Sequence, residues 1–207
     1  FEALKTEDEH SHNVAVGYQA LRLQDAGGNA YNVAVGSGAG KAISTGVANT
    51  ILGGLAGDAL TTGGSNVAIG YNALTTEDAH GLNVAIGFEA LKTLNAGADA
   101  YNTAAGYQAG KSVTTGTFNT LIGGLAGDAL ADADKNVAVG ALALSTDTLG
   151  DKSTAVGYGA LSTQNFSSSV TDTENTAVGH AAGSVLTTGI KNTLVGAGAG
   201  DAFTDAD

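Results

Sequence analysis

This chain of 207 residues contains no cysteine, proline, methionine or tryptophan, and aromatic residues make up only 5% of it. Without cysteine it can form neither a disulfide framework nor a cysteine metal site. No apolar run approaches the roughly 20 residues that a membrane-spanning helix needs. Eight Lys and Arg stand against 20 Asp and Glu, and the net charge of −12 disfavours binding to nucleic acid or to an anionic membrane.

One short repeat fills the sequence instead. A five-residue block that ends in glycine, such as NVAVG from Asn13, occurs eleven times. We call its first residue the anchor and number each repeat from it. Neighbouring anchors are 17 residues apart, except for two steps of 19 and one of 22. The anchors are Ser153 and ten asparagines: Asn13, Asn32, Asn49, Asn66, Asn83, Asn102, Asn119, Asn136, Asn175 and Asn192.

This repeat predicts an all-β fold. A fixed period in this range is the signature of a solenoid, and the short alternating blocks are typical of strands. Seventeen residues are too few for a strand–helix–strand unit but sufficient for one β-solenoid coil. We therefore predict a parallel β-solenoid (β-roll) of about twelve short coils that forms a single repeat region over residues 1–207. Phe1–Leu4 aligns with Phe88–Leu91, and Asp207 falls just short of the next expected anchor, so both ends are expected to lie mid-coil.

A second period of 70 residues groups four coils into a super-repeat, giving 13–82, 83–152 and an incomplete 153–207. Within it, position 9 is Leu in two coils and Gly in the other two, and position 12 is apolar in every Gly coil. This pattern predicts two coil shapes that share a narrow core, with room for about one large side chain at that corner. We expect Gly57 to be such a packed corner and Gly63, on a turn, to tolerate a side chain better.

The repeat also suggests a role for each of its positions. We expect the aliphatic residues at positions 2 and 4, such as Val14 and Val16, to form the core, and position 3 to face a partner subunit. Gly17 would allow a turn. The Asn anchors, stacked one strand spacing apart, would form a hydrogen-bonded ladder along the rod. A glycan- or ion-binding row of asparagines is the alternative.

Extra residues of the longer coils always follow position 12, in Asp25–Tyr31, Asn95–Tyr101 and Asn165–Glu174. Insertions at one point of a repeat map to loops on one face, which is often the functional face of a solenoid.

A few acidic residues are candidates for binding a metal ion. GGLAGD at Gly53–Asp58 and Gly123–Asp128 is similar to a calcium-binding nonapeptide, although its third glycine is displaced by one place. Asp128, Asp132 and Asp134 form a local acidic cluster that could hold Ca²⁺ through carboxylate oxygens, and solvated acidic turns are the alternative. His10 and His80 are equivalent residues of two super-repeats, for which a surface position or a ring on a trimer axis is conceivable. We predict no catalytic residue and no bound organic cofactor.

Two further patterns concern binding surfaces. Position 6 is aromatic in six coils, and such a column could stack on sugars, pack over the strand edge or lie in a subunit interface. The paired threonines Thr61–Thr62, Thr114–Thr115 and Thr187–Thr188 suggest ice binding, but Ala131 and Asp132 interrupt that row.

The unit N-[VT]-A-[VI]-G-Y-Q-A-[LG], seen in NVAVGYQAL at Asn13–Leu21, resembles NTAVGYQAL-type repeats of 17 residues from phage tail fibres and bacterial surface proteins. These are related to the head repeats of trimeric autotransporter adhesins, which carry a similar S-V-A-I-G core. The resemblance covers essentially the whole chain. It implies a homotrimer of parallel β-solenoids that serves as a fibre shaft or head.

The leading hypothesis is therefore a structural and adhesive segment of an extracellular fibre, on a virion tail or a cell surface, whose receptor is a cell-surface glycan or protein. A glycan-cleaving tailspike scaffold is the enzymatic alternative, with Asp172 and Glu174 as its nearest acidic pair. An ice-binding β-solenoid is a third possibility.

Overall fold

The structure is a computed structural model that describes residues 1–7, 12–77 and 79–205. Within these ranges the chain forms short strands and turns and no helix. The strands are β1 (Val14–Val16), β2 (Val33–Val35), β3 (Thr50–Leu52), β4 (Val67–Ile69), β5 (Val84–Ile86), β6 (Thr103–Ala105), β7 (Thr120–Ile122), β8 (Val137–Val139), β9 (Gly150–Asp151), β10 (Thr154–Val156), β11 (Thr171–Asp172), β12 (Thr176–Val178) and β13 (Thr193–Val195).

Eleven of these strands form one parallel sheet in chain order, and β9 pairs with β11 in a separate two-stranded sheet. The register follows the repeat, since Val14 pairs with Val33 and Val33 in turn pairs with Thr50. Each coil thus advances the chain by one strand spacing, about 4.8 Å. The predicted parallel β-solenoid is confirmed for the described residues.

The two sides of the strands are the reverse of our prediction. Position 3 faces the interior, where Ala34 and Ile51 are fully buried. Positions 2 and 4 face outward, and Val14 and Val16 are 48% and 57% exposed. Positions 2 and 4 must lie together on one side of a strand, opposite position 3. The alanine at position 8 is also buried in the interior, so the thin coil accommodates small position-3 residues better than two columns of valine.

The corner at positions 9 and 12 shows how the two coil shapes pack together. Leu21 and Ile43 are both fully buried. A Cβ atom added to Gly40 would lie 2.8 Å from Cδ1 of Ile43 and 3.1 Å from Cδ2 of Leu21. In the third coil of each set, a larger position-3 residue such as Leu121 enters the space over the glycine, and a Cβ on Gly127 would lie 2.8 Å from Leu121 Cδ2. The glycine of one coil thus makes room for leucines around it.

The expectation of one large side chain per corner was wrong, because Leu91 and Leu94 of one coil are both fully buried. The polar residues at position 12 of the other Leu coils are buried too. They are Gln24, Glu77, Asp147 and Gln164. Position 12 is therefore an interior position in both coil shapes, and its polar members need hydrogen-bond partners within the coil.

The glycine at position 5 ends each strand at a point of close contact. Gly70 has a φ of +132°, and a Cβ there would lie 2.3 Å from the carbonyl oxygen of Gly87 in the next coil. Gly63, expected to tolerate a side chain, is equally constrained, because its Cβ would lie 2.2 Å from the carbonyl oxygen of His80. That expectation was wrong. At Gly63 itself, the next coil leaves no room for a side chain.

The Asn anchors lie in a column inside the rod. Oδ1 of Asn102 accepts a hydrogen bond of 2.9 Å from the backbone N–H of Asn119, the next anchor. Nδ2 of Asn102 donates to the carbonyl oxygen of Gly116, 14 residues further along its own coil, at 2.7 Å. The bonds of the column therefore run from side chain to backbone. Asn102 thus links two coils and also closes its own coil, and Asn49, Asn119 and Asn136 bond in the same way.

Ser153 interrupts this column, and three neighbouring side chains compensate for the missing amide. Gln164 donates from Nε2 to Ser153 Oγ at 2.8 Å and accepts at Oε1 from Asn175 Nδ2, also at 2.8 Å. Ser153 Oγ is also hydrogen-bonded to Thr173 Oγ1 at 2.5 Å. These side chains are all at most 1% exposed. The longest coil of the chain supplies both Gln164 and Thr173, so its insertion and the Ser anchor belong together.

Candidate functional site

The largest continuous surface feature is the outward side of the eleven-stranded sheet, which we call the strand face. It consists of the residues at positions 2 and 4 of every coil. Position 2 is always Val or Thr, and position 4 is always Val, Leu, Ile or Ala. The strand face therefore carries no charged residue in a chain whose net charge is −12. Leu52, Ile86 and Ile122 on it are 46%, 39% and 41% exposed.

The size of this face is comparable to that of a protein interface. Eleven strands spaced about 4.8 Å apart give a length of about 53 Å, and the seven residues from the one before the anchor to position 6 give a width of about 20 Å. The strand face together with the rows of side chains that border it on both sides therefore covers on the order of 1,000 Å², which exceeds the roughly 800 Å² that each partner contributes to a standard interface. A continuous exposed apolar strip along the middle of such an area marks an interaction surface on a soluble protein.

One edge of the strand face is formed by the position-6 row, the side chains directly after the turn glycine. Tyr71, Phe88 and Tyr107 stack along the rod with ring centroids 5.8 and 5.5 Å apart. Tyr158 stacks on His180 at 5.4 Å. Since these rings cover one another's faces, they expose mainly their edges. Stacking of a sugar needs a free ring face, so this geometry gives little support to sugar binding along the row.

The opposite edge is formed by the anchor-preceding row, the residue immediately before each anchor. It contains two stacked ring pairs, His12 with Tyr31 at 5.1 Å and Tyr101 with Phe118 at 5.3 Å. After Phe118 it becomes charged, with Lys135, Lys152, Glu174 and Lys191 all exposed. Thus rings and small residues border the strand face on one side, and uncharged residues followed by charged ones border it on the other.

The other five Lys and Arg residues lie at position 10, beyond the position-6 row. They are Lys5, Arg22, Lys41, Lys92 and Lys111. Glu89 accepts hydrogen bonds there from Lys92 Nζ at 2.6 Å and from Gln108 Nε2 at 2.8 Å, and Lys111 Nζ lies 3.3 Å away. The bonds from Lys92 and Gln108 hold the pKa of Glu89 at about 2. Glu2, Lys5 and Gln19 repeat this arrangement five coils earlier, at the start of the chain.

This lowered pKa predicts a specific acid sensitivity. A carboxylate with a lower pKa in the folded state stabilises the fold fully above its unfolded value of 4.5 and loses that contribution as the pH falls towards 2. We expect the stability difference between the wild type and Glu89→Gln to shrink over this range, measured by urea unfolding at several pH values. Because both proteins contain the same other carboxylates, the contributions of those groups cancel when the unfolding free energy of the variant is subtracted from that of the wild type. A difference that does not change between pH 6 and pH 2, roughly four pH units, would contradict the assignment.

The three candidate calcium ligands differ in their hydrogen-bond partners and in their burial. Asp132 Oδ1 accepts from Thr114 Oγ1 and Thr115 Oγ1, which lowers the pKa of Asp132. Asp134 Oδ1 accepts from the backbone N–H of Thr117 at 2.7 Å. Partial burial raises the pKa of Asp128. Among the described residues no group of three or more His, Asp or Glu side chains is arranged to hold a metal ion.

Other candidates also have structural partners. Asp172 lies on β11 and forms an ion pair with Lys152, and no cavity is present next to it or elsewhere in the described ranges. The hydroxyls of Thr114 and Thr115 bind Asp132, and that of Thr188 binds Asp205 at 3.0 Å, so they do not form a free threonine array. His80 is half-buried, with Nδ1 3.3 Å from the fully buried Glu77 carboxylate. His10 lies outside the described residues.

None of the described segments is a helix with the length and hydropathy needed to cross a membrane. Comparison of the chain with protein family models, with curated proteins and with solved structures finds no match. The strand face and the two rows beside it are therefore interpreted from their own geometry and charge.

Proposed function

We propose that this chain is a structural and adhesive segment of an extracellular fibre, in which three copies associate through their strand faces around an axis parallel to the rod. A phage tail fibre is the first candidate for its setting, and a bacterial surface adhesin is the second. The strand face, uncharged at both outward positions in all eleven coils, is the observation that supports this proposal.

The distribution of charge separates the two sides of the rod. All eight Lys and Arg residues lie at position 10 or immediately before an anchor, and no Asp or Glu lies at position 2 or 4. A solvated surface of an acidic protein would carry charges on the strand face as well. Burial of this face in a trimer would remove about 25 cal/mol of unfavourable hydration free energy per Å² of apolar surface, and one thin coil has little other apolar area to bury.

The adhesive part of the proposal concerns the three longer connections. Asp25–Tyr31, Asn95–Tyr101 and Asn165–Glu174 recur every four coils and contain exposed residues such as Asp99 and Val170. Because they follow position 12, their first residues begin away from the strand face and remain available when that face is covered. A cell-surface glycan or protein is the receptor class that we propose for them.

A single charge on the strand face tests the association. Ile122 is 41% exposed at position 4 of β7. We expect Ile122→Asp to convert the trimer into folded monomers, because the same substitution places three carboxylates near the common axis. Analytical ultracentrifugation measures the mass, and circular dichroism reports whether the coils remain folded.

Asn95→Asp is the matched control, since it adds the same charge at an exposed position of a longer connection. We expect this variant to keep the mass of the wild type. If Ile122→Asp and Asn95→Asp both sediment as the wild type does, the strand face is not the interface. A folded wild type that is already monomeric at micromolar concentration contradicts the proposed trimer itself.

A further inference from the structure

The direction of the strands determines which edges can meet in such a trimer. A threefold rotation about an axis parallel to the rod maps each strand onto its copy without reversing its sense around the axis. The interface is therefore heterologous, and the end of a strand in one subunit approaches the start of the corresponding strand in the next. In this chain, the strand ends carry the position-6 row and the strand starts carry the anchor-preceding row.

We propose that the anchor-preceding row of each subunit packs against the position-6 row of its neighbour at the same coil level. This inference rests on the proposed trimer and specifies its interface. The partner is thus a second copy of this chain in parallel orientation, without an axial offset. The three contacts between edge rows would surround the common axis, and the strand-face residues at positions 2 and 4 would lie between these contacts and the axis.

The charges favour this register over an offset of one coil. At equal levels Glu174 faces His180, and Lys152 faces the ring of Tyr158, which attracts a cation. An offset by one coil instead places Lys152 against His180 and leaves Glu174 against the apolar Ala197. Lys152 and Glu174 are both exposed, but Lys152 already forms an ion pair with Asp172 of its own subunit, so the contact of Glu174 with His180 is the stronger argument for this register.

Side-chain size agrees with equal levels at two neighbouring coils. Phe118 is 53% exposed, and at the same coil level it faces Gly124 of the neighbouring subunit. A Cβ atom added to Gly124 would have no other atom within 4 Å, so there is open space beside this glycine. Lys135 faces Ala141 one coil further along. A large side chain is thus matched with open space at each of these levels. Size alone does not select the register, since an offset also pairs Phe118 with the small Ala141.

Disulfide cross-linking can test this contact because the chain contains no cysteine. The test variant carries both Lys135→Cys and Ala141→Cys, two exposed residues of one level. Within one subunit they are six residues apart along an extended segment, about 20 Å, which is far beyond the Cα separation of a disulfide. Cross-links can therefore form only between subunits, and three of them close a covalent ring.

We expect oxidation of the double variant to give a covalent trimer on denaturing gels without reductant, whereas each single variant gives at most a covalent dimer. The offset pair, Lys135→Cys with Tyr158→Cys, should cross-link far less. The pair Glu174→Cys and His180→Cys repeats the test at another level and replaces the first pair if that variant fails to fold.

The outcomes separate the two proposals. A trimer by ultracentrifugation that cross-links only in the offset pair, or in neither pair, overturns the level-by-level contact and leaves the proposed fibre segment in place. A folded monomer overturns both. Covalent trimers from the level pairs together with weak offset cross-linking support the contact.

Discussion

Replacing Gly70 with alanine is expected to disrupt the stacking of coils and to lower the free energy of unfolding by about 4 kcal/mol or more. Gly70 ends β4 with a φ of +132°, a conformation that strains any residue with a side chain. The added Cβ would also lie 2.3 Å from the carbonyl oxygen and 2.6 Å from the carbonyl carbon of Gly87. These are backbone atoms of a paired strand, so they can move only if the sheet opens.

The measurement is thermal and urea unfolding followed by circular dichroism. Gly28→Ala is the control, in a longer connection away from the proposed interface, where the added Cβ has no neighbour within 4 Å and φ is not in the left-handed region. We expect it to change stability by less than about 0.5 kcal/mol. Comparable losses in the two variants would show that the close approach of coils at position 5 does not limit the fold.

Asn119→Ala is expected to destabilise the chain by about 4 kcal/mol, because it leaves two buried backbone groups without partners at roughly 1–3 kcal/mol each. Oδ1 of Asn119 accepts from the N–H of Asn136 at 2.9 Å, and Nδ2 donates to the carbonyl of Ala133 at 2.8 Å. Asn119 itself is only 1% exposed, so water cannot easily replace these bonds.

Asn95→Ala is the control for this substitution, since Asn95 is exposed in a longer connection. We expect its midpoint of urea unfolding to stay close to that of the wild type. Asn119→Ser should be nearly as harmful as Asn119→Ala, although serine is the natural anchor at position 153. Ser153 depends on Gln164 and Thr173, which the coil of Asn119 lacks. A mild effect of Asn119→Ala would mean that the column of amides contributes little to the rod.

The fold could be predicted from the sequence because a solenoid repeats its constraints. Gly17 and its equivalents follow every strand of the eleven-stranded sheet, and the anchor spacing returns each of these strands to the same register. Regular strands of Val, Ile and Thr with a fixed period leave few other arrangements for the chain. The two coil shapes were also predictable, since Leu or Gly at position 9 changes the volume of a corner that has little free space.

The side of the strand that faces the core was predicted wrongly, and this error concealed the candidate site. Alternation shows that positions 2 and 4 share a face, but it does not show which face is inside. We gave priority to the larger hydrophobic residues, Val14 and Val16, over Ala15. The width of the interior determines which side of the strand faces the core. Position 3 is Ala in eight of the eleven coils, and this small residue fits the interior of a thin rod. The valines are outside, where a hydrophobic face suggests a partner.

The polar interior at position 12 was not predictable from the pattern alone. Gln24 and Gln164 are both fully buried, and each accepts a hydrogen bond at Oε1 from Nδ2 of the neighbouring Asn anchor. This role depends on the distance between two turns of the coil, which spacing along the chain does not give. The loss of Asn at Ser153 was visible in the sequence, but the three side chains that replace its amide were not.

The mass of the folded chain in solution tests the central claim most directly. Sedimentation equilibrium at micromolar concentration, with circular dichroism to verify the β fold, should give three times the mass of one chain, because the proposed trimer buries the strand face, whose Leu52, Ile86 and Ile122 remain 46%, 39% and 41% exposed in a single chain. A folded species with the mass of a single chain would contradict the proposal that this face joins three rods into a fibre.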